Sequence, residues 1–213
     1  MRLGSIYRIQ LWISFFFRGI LLLAVIESFI NKLWMVMFIA TLTLSITFLP
    51  SLLRRNINFN LPTEMEFFMT LFVFAALFLG EIQNYYAVFP WWDTLLHGLS
   101  GIALGFVGFL IIFSLYNNNR IKASPIMIAL FTFSFAMMVG AMWEIFEFAV
   151  DQIFNQDMQK GLVDTMWDLI MDTLGALLVS IIGFFYVRGA PSLIFHHFLC
   201  RVAKANPRFF KNL

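Results

Sequence analysis

The chain has 213 residues, 61% of them hydrophobic and 12% charged, with a mean hydropathy of +0.85. A soluble domain carries about twice that charged fraction, so the composition points to a polytopic membrane protein built as one compact bundle. The net charge of +2 comes with no basic stretch interleaved with exposed aromatics, which argues against a nucleic-acid partner. The single cysteine, Cys200, cannot form an internal disulfide and fits no zinc pattern.

Six apolar segments are long enough to cross a bilayer: residues 9–30, 33–53, 63–86, 92–116, 124–151 and 164–187. Each reaches the roughly 20 apolar residues that a crossing requires. Helix is the only sensible conformation, because an open strand would leave its backbone unpaired in lipid. The expected fold is therefore all-α, a six-span bundle over residues 1–189 with a basic amphipathic tail over 190–213. The first segment follows Arg2 and Arg8 but is followed by Glu27 and Asn31, with no small-residue cleavage signal. It reads as a retained span, not a signal peptide. Thr63 with Glu66 predicts a capping box, and Ser124-Pro125 predicts a cap with a first-turn proline. Pro90 precedes the Trp91-Trp92-Asp93 start of the fourth span.

Lysine and arginine set the expected orientation. Arg2, Arg8, Arg54, Arg55, Arg120, Lys122 and Arg188, together with the basic residues of the tail, fall on one side. Only Lys32 and Lys160 fall on the other. Both termini are thus expected in the cytoplasm of a bacterial inner membrane. Tyr85, Tyr86, Trp91 and Trp92 suit an outer aromatic belt, and the tail suits the inner membrane face.

The chemistry concentrates between Trp143 and Asp172. Glu144, Glu147 and Asp151 lie in the fifth span, and Asp164, Asp168 and Asp172 in the sixth. At about 100° per residue, each set occupies an arc of roughly 60–80° on its helix. In an antiparallel hairpin these acids lie level in pairs: Asp151 with Asp164, Glu147 with Asp168, Glu144 with Asp172. The fourth span adds Asp93 and His97 one turn apart, and Glu81 of the third span falls at a comparable depth. Acids at membrane depth are costly and are functional-site candidates by default. So many carboxylates cannot all ionise together without a counter-charge. The economical counter-charge is one or two divalent cations: zinc, magnesium, manganese or calcium.

Bland alternatives stand beside each residue. Asp93 and Asp164 also suit simple N-caps, Asp151 a hydrated helix end, and Glu81 the headgroup region. Arg18 suits a snorkelling side chain or, less readily, a site residue. Ser100 lies one turn below His97, where packing competes with a nucleophile role. A proton-sharing structural network would also hold Glu144, Glu147, Asp168 and Asp172.

Three motifs carry a family resemblance: Trp91-Trp92-Asp93-Thr94-Leu95-Leu96-His97-Gly98-Leu99-Ser100-Gly101, Trp143-Glu144-Ile145-Phe146-Glu147, and Asp164-Thr165-Met166-Trp167-Asp168-Leu169 with Asp172-Thr173-Leu174-Gly175-Ala176. They resemble the YjdF-like bacterial inner-membrane proteins. The resemblance covers spans three to six well and spans one and two by hydropathy alone. It implies a multi-span membrane architecture and names no substrate.

The expected function is a metal-dependent hydrolase or transferase acting at the outer leaflet on a lipid or lipid-linked substrate. His97, Glu147 and Asp168 are the expected catalytic groups. His97, Glu144, Glu147, Asp168, Asp172, Asp93, Asp151 and Asp164 are the expected metal set, with Glu81, Arg18 and Ser100 as outer candidates. The rivals are a divalent-cation or proton-coupled transporter and a metal-stabilised assembly protein. Membrane lipid is the expected partner, and a homo-oligomer is compatible with the sequence.

Overall fold

A computed structural model describes residues 2–155, 157–190 and 192–211, with side chains from residue 8 onward. Arg2 of the orientation reading lies outside the described side chains. The described chain is all-helical, with 81% helix and no strand. It divides into two compact units, Met1–Trp92 and Asp93–Leu213.

In the first unit, α1 (Arg2–Ile30) is followed by α2 (Trp34–Ile46), α3 (Leu49–Ile57), α4 (Thr63–Val73), a π-helical segment (Phe74–Ile82) and the single turn α5 (Tyr85–Val88). The second span, expected as one apolar run over residues 33–53, is instead the pair α2 and α3, bent by 44°. Pro50 accounts for the break: it has no amide hydrogen to donate, and its ring would clash with the carbonyl four residues back, at Ile46. The freed end of α2 is covered by Arg18, which donates from Nη2 to the Thr47 carbonyl (2.7 Å) and from Nε to Thr47 Oγ1 (3.2 Å). The Phe48 ring centroid lies 4.6 Å from the same guanidinium.

The third span is also shorter than expected, ending at Ile82, where Asn84 turns left-handed (φ 60°). The Thr63–Glu66 capping box does not form. Pro62 occupies the cap position without a side-chain bond, and the Glu66 amide donates to the Pro62 carbonyl at 3.1 Å. Phe74 and Phe78 stack with Phe17 around buried Leu21 and form the core of this unit.

The second unit contains α6 (Trp92–Asn117), α7 (Pro125–Phe154), α8 (Leu162–Val187) and α9 (Leu193–Ala205). The predicted cap at Ser124 is present and accepts from the Met127 amide. Among the described residues, five helices are long and apolar enough to cross a membrane, or six if the bent pair counts as one span. Helices α6 and α8 touch backbone to backbone. A Cβ on Gly101 would lie 2.6 Å from the Asp172 carbonyl oxygen, and one on Gly175 would lie 2.6 Å from that of Gly98. Small residues allow this approach where lipid offers helices no hydrophobic drive to associate. The turn between α7 and α8 is closed by Asp151, whose carboxylate accepts from the Met158 (2.7 Å) and Gln159 (2.9 Å) amides. Gly161, at φ 99°, leads into α8 in a conformation that favours glycine.

The tail is not a loose strand of chain. Its helix α9 buries Phe195, Leu199, Val202 and Ala203. Phe195 packs edge-on against Phe106 and Phe109 of α6 and also meets Tyr186 of α8. Asn118, after α6, clamps the end of the tail: its Nδ2 donates to the Phe209 carbonyl, and its Oδ1 accepts from the Lys211 amide.

Candidate metal centre

The site forms where three helices of the second unit present one stripe each. Asp93, His97 and Ser100 follow α6 at spacings of four and three, so they share a face. Gly140 and Glu144 are one turn apart on α7, and Asp168 and Asp172 one turn apart on α8. His97, Glu144, Asp168 and Asp172 are all buried, and Asp172 is only 1% exposed.

His97 is the centre of the cluster, and its two nitrogens face different surroundings. Nδ1 lies 3.3 Å from Asp172 Oδ2, and Ser100 Oγ donates to Asp172 Oδ1 at 2.8 Å. An ionised carboxylate can only accept, so this contact places the Nδ1 proton toward Asp172 and leaves Nε2 as the nitrogen that could ligate a cation. Around Nε2 stand Asp93 Oδ1 at 3.6 Å, Glu144 Oε1 at 3.7 Å and Asp168 Oδ1 at 4.0 Å. These separations are too long for hydrogen bonds. They match two ligands that each stand about 2.1 Å from a shared ion, which lie roughly 3–4 Å apart. Asp93, His97 and Asp168 offer ligand atoms that all lie within 4.8 Å of one another.

Glu144 is buried, at 4% exposure, yet neither of its oxygens has a hydrogen-bond partner. The Thr165 hydroxyl lies nearby, short of hydrogen-bond geometry. A buried carboxylate left in this state is costly unless something positive approaches it. Lys160 supplies one positive charge at the mouth of the cluster, with Nζ 3.1 Å from Asp93 Oδ2. The cluster has room because Gly140 carries no side chain: a Cβ there would collide with the Asp172 carboxylate.

A family model described as "Predicted membrane protein (DUF2238)" matches residues 9–189. The chain belongs to this family. A relative, an uncharacterized protein of Thermotoga maritima, is 30% identical over 129 residues, which span 60% of this chain and 66% of the relative. No solved structure matches. Every residue of the cluster in this DUF2238 protein lies inside the matched region.

The other candidates are placed differently. Glu147 accepts from Trp143 Nε1 on its own helix at 2.8 Å. Asp151 is engaged in the α7–α8 turn. Asp164 sits half-buried in the first turn of α8, close enough to Asp93 to feel its charge. Neither Asp93 nor Asp164 is an N-cap: α6 begins at Trp92, and Gly161 takes the cap position of α8. Ser100 bonds Asp172 and its own helix carbonyl at His97, not the imidazole. Its hydroxyl is therefore spent on Asp172 and the helix backbone, without the imidazole contact of a Ser–His pair. Arg18 and Glu81 lie in the first unit, Arg18 on the broken end of α2 and Glu81 in the π-helical segment. Sequence reasoning missed Gly140, although its place one turn before Glu144 marks it as the opening into which a facing side chain would fit.

Proposed function

We propose that this membrane protein is a divalent-metal protein whose cation is held by Asp93, His97 and Asp168. Glu144 would act as the general acid/base of a hydrolase or transferase that works on a lipid or lipid-linked envelope substrate. The observation that carries this reading is the imidazole itself: Nδ1 held by Asp172, whose other oxygen accepts from Ser100, and Nε2 facing three carboxylates at 3.6–4.0 Å. A carboxylate behind a histidine is the usual support of a metal-ligating imidazole. Three protein ligands leave a position open, as catalytic sites require. A divalent cation there would polarise an ester or phosphoryl oxygen and supply a strong nucleophile near neutral pH. Around it, Asp172 orients His97, and Glu144, which faces His97 Nε2 at 3.7 Å without a hydrogen bond, is the group available to take or return a proton.

The packing favours this reading over ion conduction. Past Asp172, the α6–α8 contact is made of Gly101, Gly105, Gly175, Ala176 and Val179. That close contact contains no ionisable group, and the buried polar side chains further along the helices are the hydroxyls of Ser180 on α8 and Thr132 on α7. In the proposed orientation the cluster faces outward and both termini lie in the cytoplasm of a bacterial inner membrane.

The test is elemental analysis and zinc or manganese titration of purified protein, then vesicle assays. Wild type should bind one or two ions. His97→Ala and Asp168→Asn should lose binding while still inserting, and Glu144→Gln should keep the ion but lose turnover of vesicle phospholipid. Metal binding with uptake into proteoliposomes and no lipid conversion would overturn the enzyme in favour of a transporter. No metal binding in wild type would overturn the whole reading.

A further inference from the structure

We propose that the outer face of α9 is a docking surface for anionic phospholipid headgroups at the membrane boundary, at the end of the second unit opposite the acidic cluster. The two faces of the helix differ sharply. Phe195, Leu199, Val202 and Ala203 fall within an arc of about 100° and are buried on the bundle. The opposite face leaves Leu193 89% and Ile194 73% exposed, with Phe198 beside them at 41%. Lys204 and Arg201 lie on this outward face, and Arg208 and Lys211 follow the helix. The apolar residues occupy the first half of α9 and the basic residues the second half and beyond.

This surface is held in place. The Phe195 contacts and the Asn118 clamp bind the tail at both ends, so its outward face has a fixed direction relative to α6 and α8. Five residues separate it from the end of α8 at Val187, so a span that crosses the membrane delivers α9 to the membrane boundary. The charge names the occupant. No Asp or Glu follows Asp172, whereas Arg188, Arg201, Lys204, Arg208 and Lys211 all do. Arg120 and Lys122, in the α6–α7 connection at the same end, extend the positive field. Apolar side chains beside basic ones on a boundary helix fit acyl chains below and phosphates above. A second copy of this basic surface would be repelled by like charge, and an acidic lipid surface attracts it.

The test uses the full chain in phosphatidylcholine vesicles with and without phosphatidylglycerol. A nitroxide is placed at Ile194→Cys or Phe198→Cys in a Cys200→Ser background. The label should be open to oxygen and shielded from a water-soluble nickel chelate, more so when phosphatidylglycerol is present. Native mass spectrometry should show phosphatidylglycerol retained over phosphatidylcholine. Replacing Arg201, Lys204, Arg208 and Lys211 with Gln should cut that preference by about fivefold or more, with the fold intact by circular dichroism. A label in water under both conditions would overturn the proposal. So would spin–spin broadening from a second copy, or unchanged lipid preference in the fourfold variant.

Discussion

Asp172 reaches His97 only because Gly140 has no side chain. Gly140→Ala places a methyl group where the Asp172 carboxylate stands, so the carboxylate must swing away from Nδ1. We expect zinc affinity to fall about tenfold, the lower end for lost support of a ligating histidine, and stability to fall by about 1–3 kcal/mol from overpacking. Calorimetric titration and thermal unfolding in detergent read the two separately. Asp172→Asn is nearly isosteric, but its amide can donate toward Nδ1 and so favours the tautomer with the proton on Nε2. It should lower metal affinity by about 10–100-fold with little change in thermal stability. Unchanged affinity would mean that Asp172 does not set the tautomer. The sequence already shows which helix faces carry acid, because residues four apart share a face. It does not show which of Glu144 and Glu147 turns inward. The two lie within about 60° of each other on α7, and the choice rests on Trp143, one turn before Glu147, whose indole N–H takes that carboxylate.

The elements were legible where hydropathy and caps agree, as at Ser124-Pro125 and over the long spans of α6, α7 and α8. Legibility failed where a proline lay inside an apolar run. The run of residues 33–53 is uniform in hydropathy, but the backbone cannot pass Pro50 without losing a hydrogen bond, so α2 ends early. Arg18 then has a structural duty on the buried Thr47 carbonyl at the end of α2, a contact set by tertiary packing between segments 29 residues apart. Arg18→Leu removes both donors and should destabilise the first unit by about 1.5–3 kcal/mol, the range for hydrogen bonds involving a charged group. Arg18→Lys should recover part of that loss. Unfolding in graded denaturing detergent, followed by helicity, measures both, and an unperturbed Arg18→Leu protein would dismiss the capping role.

The second unit as a whole is polarised by charge. All eight of its acids, from Asp93 to Asp172, lie at the end that holds the α7–α8 turn or within about three turns of it. Seven of its eight bases lie at the other end. Placed in a membrane by the positive-inside tendency, this unit should keep its carboxyl terminus in the cytoplasm. A C-terminal green fluorescent protein fusion should therefore fluoresce, and an alkaline phosphatase fusion at the same point should be inactive. The reverse pattern would invert the proposed topology.

One base breaks the separation. Lys160 stands among the acids with its ammonium on Asp93 Oδ2, so the protein carries its own monovalent competitor on a short tether. An ion held as proposed would have to share Asp93 with that resident charge or expel it, and the tether would keep the competitor's local concentration high. Loading should therefore be easier without it. Lys160→Gln is expected to tighten zinc binding by a few-fold, within the roughly 1 kcal/mol that a partly exposed pair is worth. Weaker binding in that variant would instead make Lys160 the splint that holds Asp93 in place.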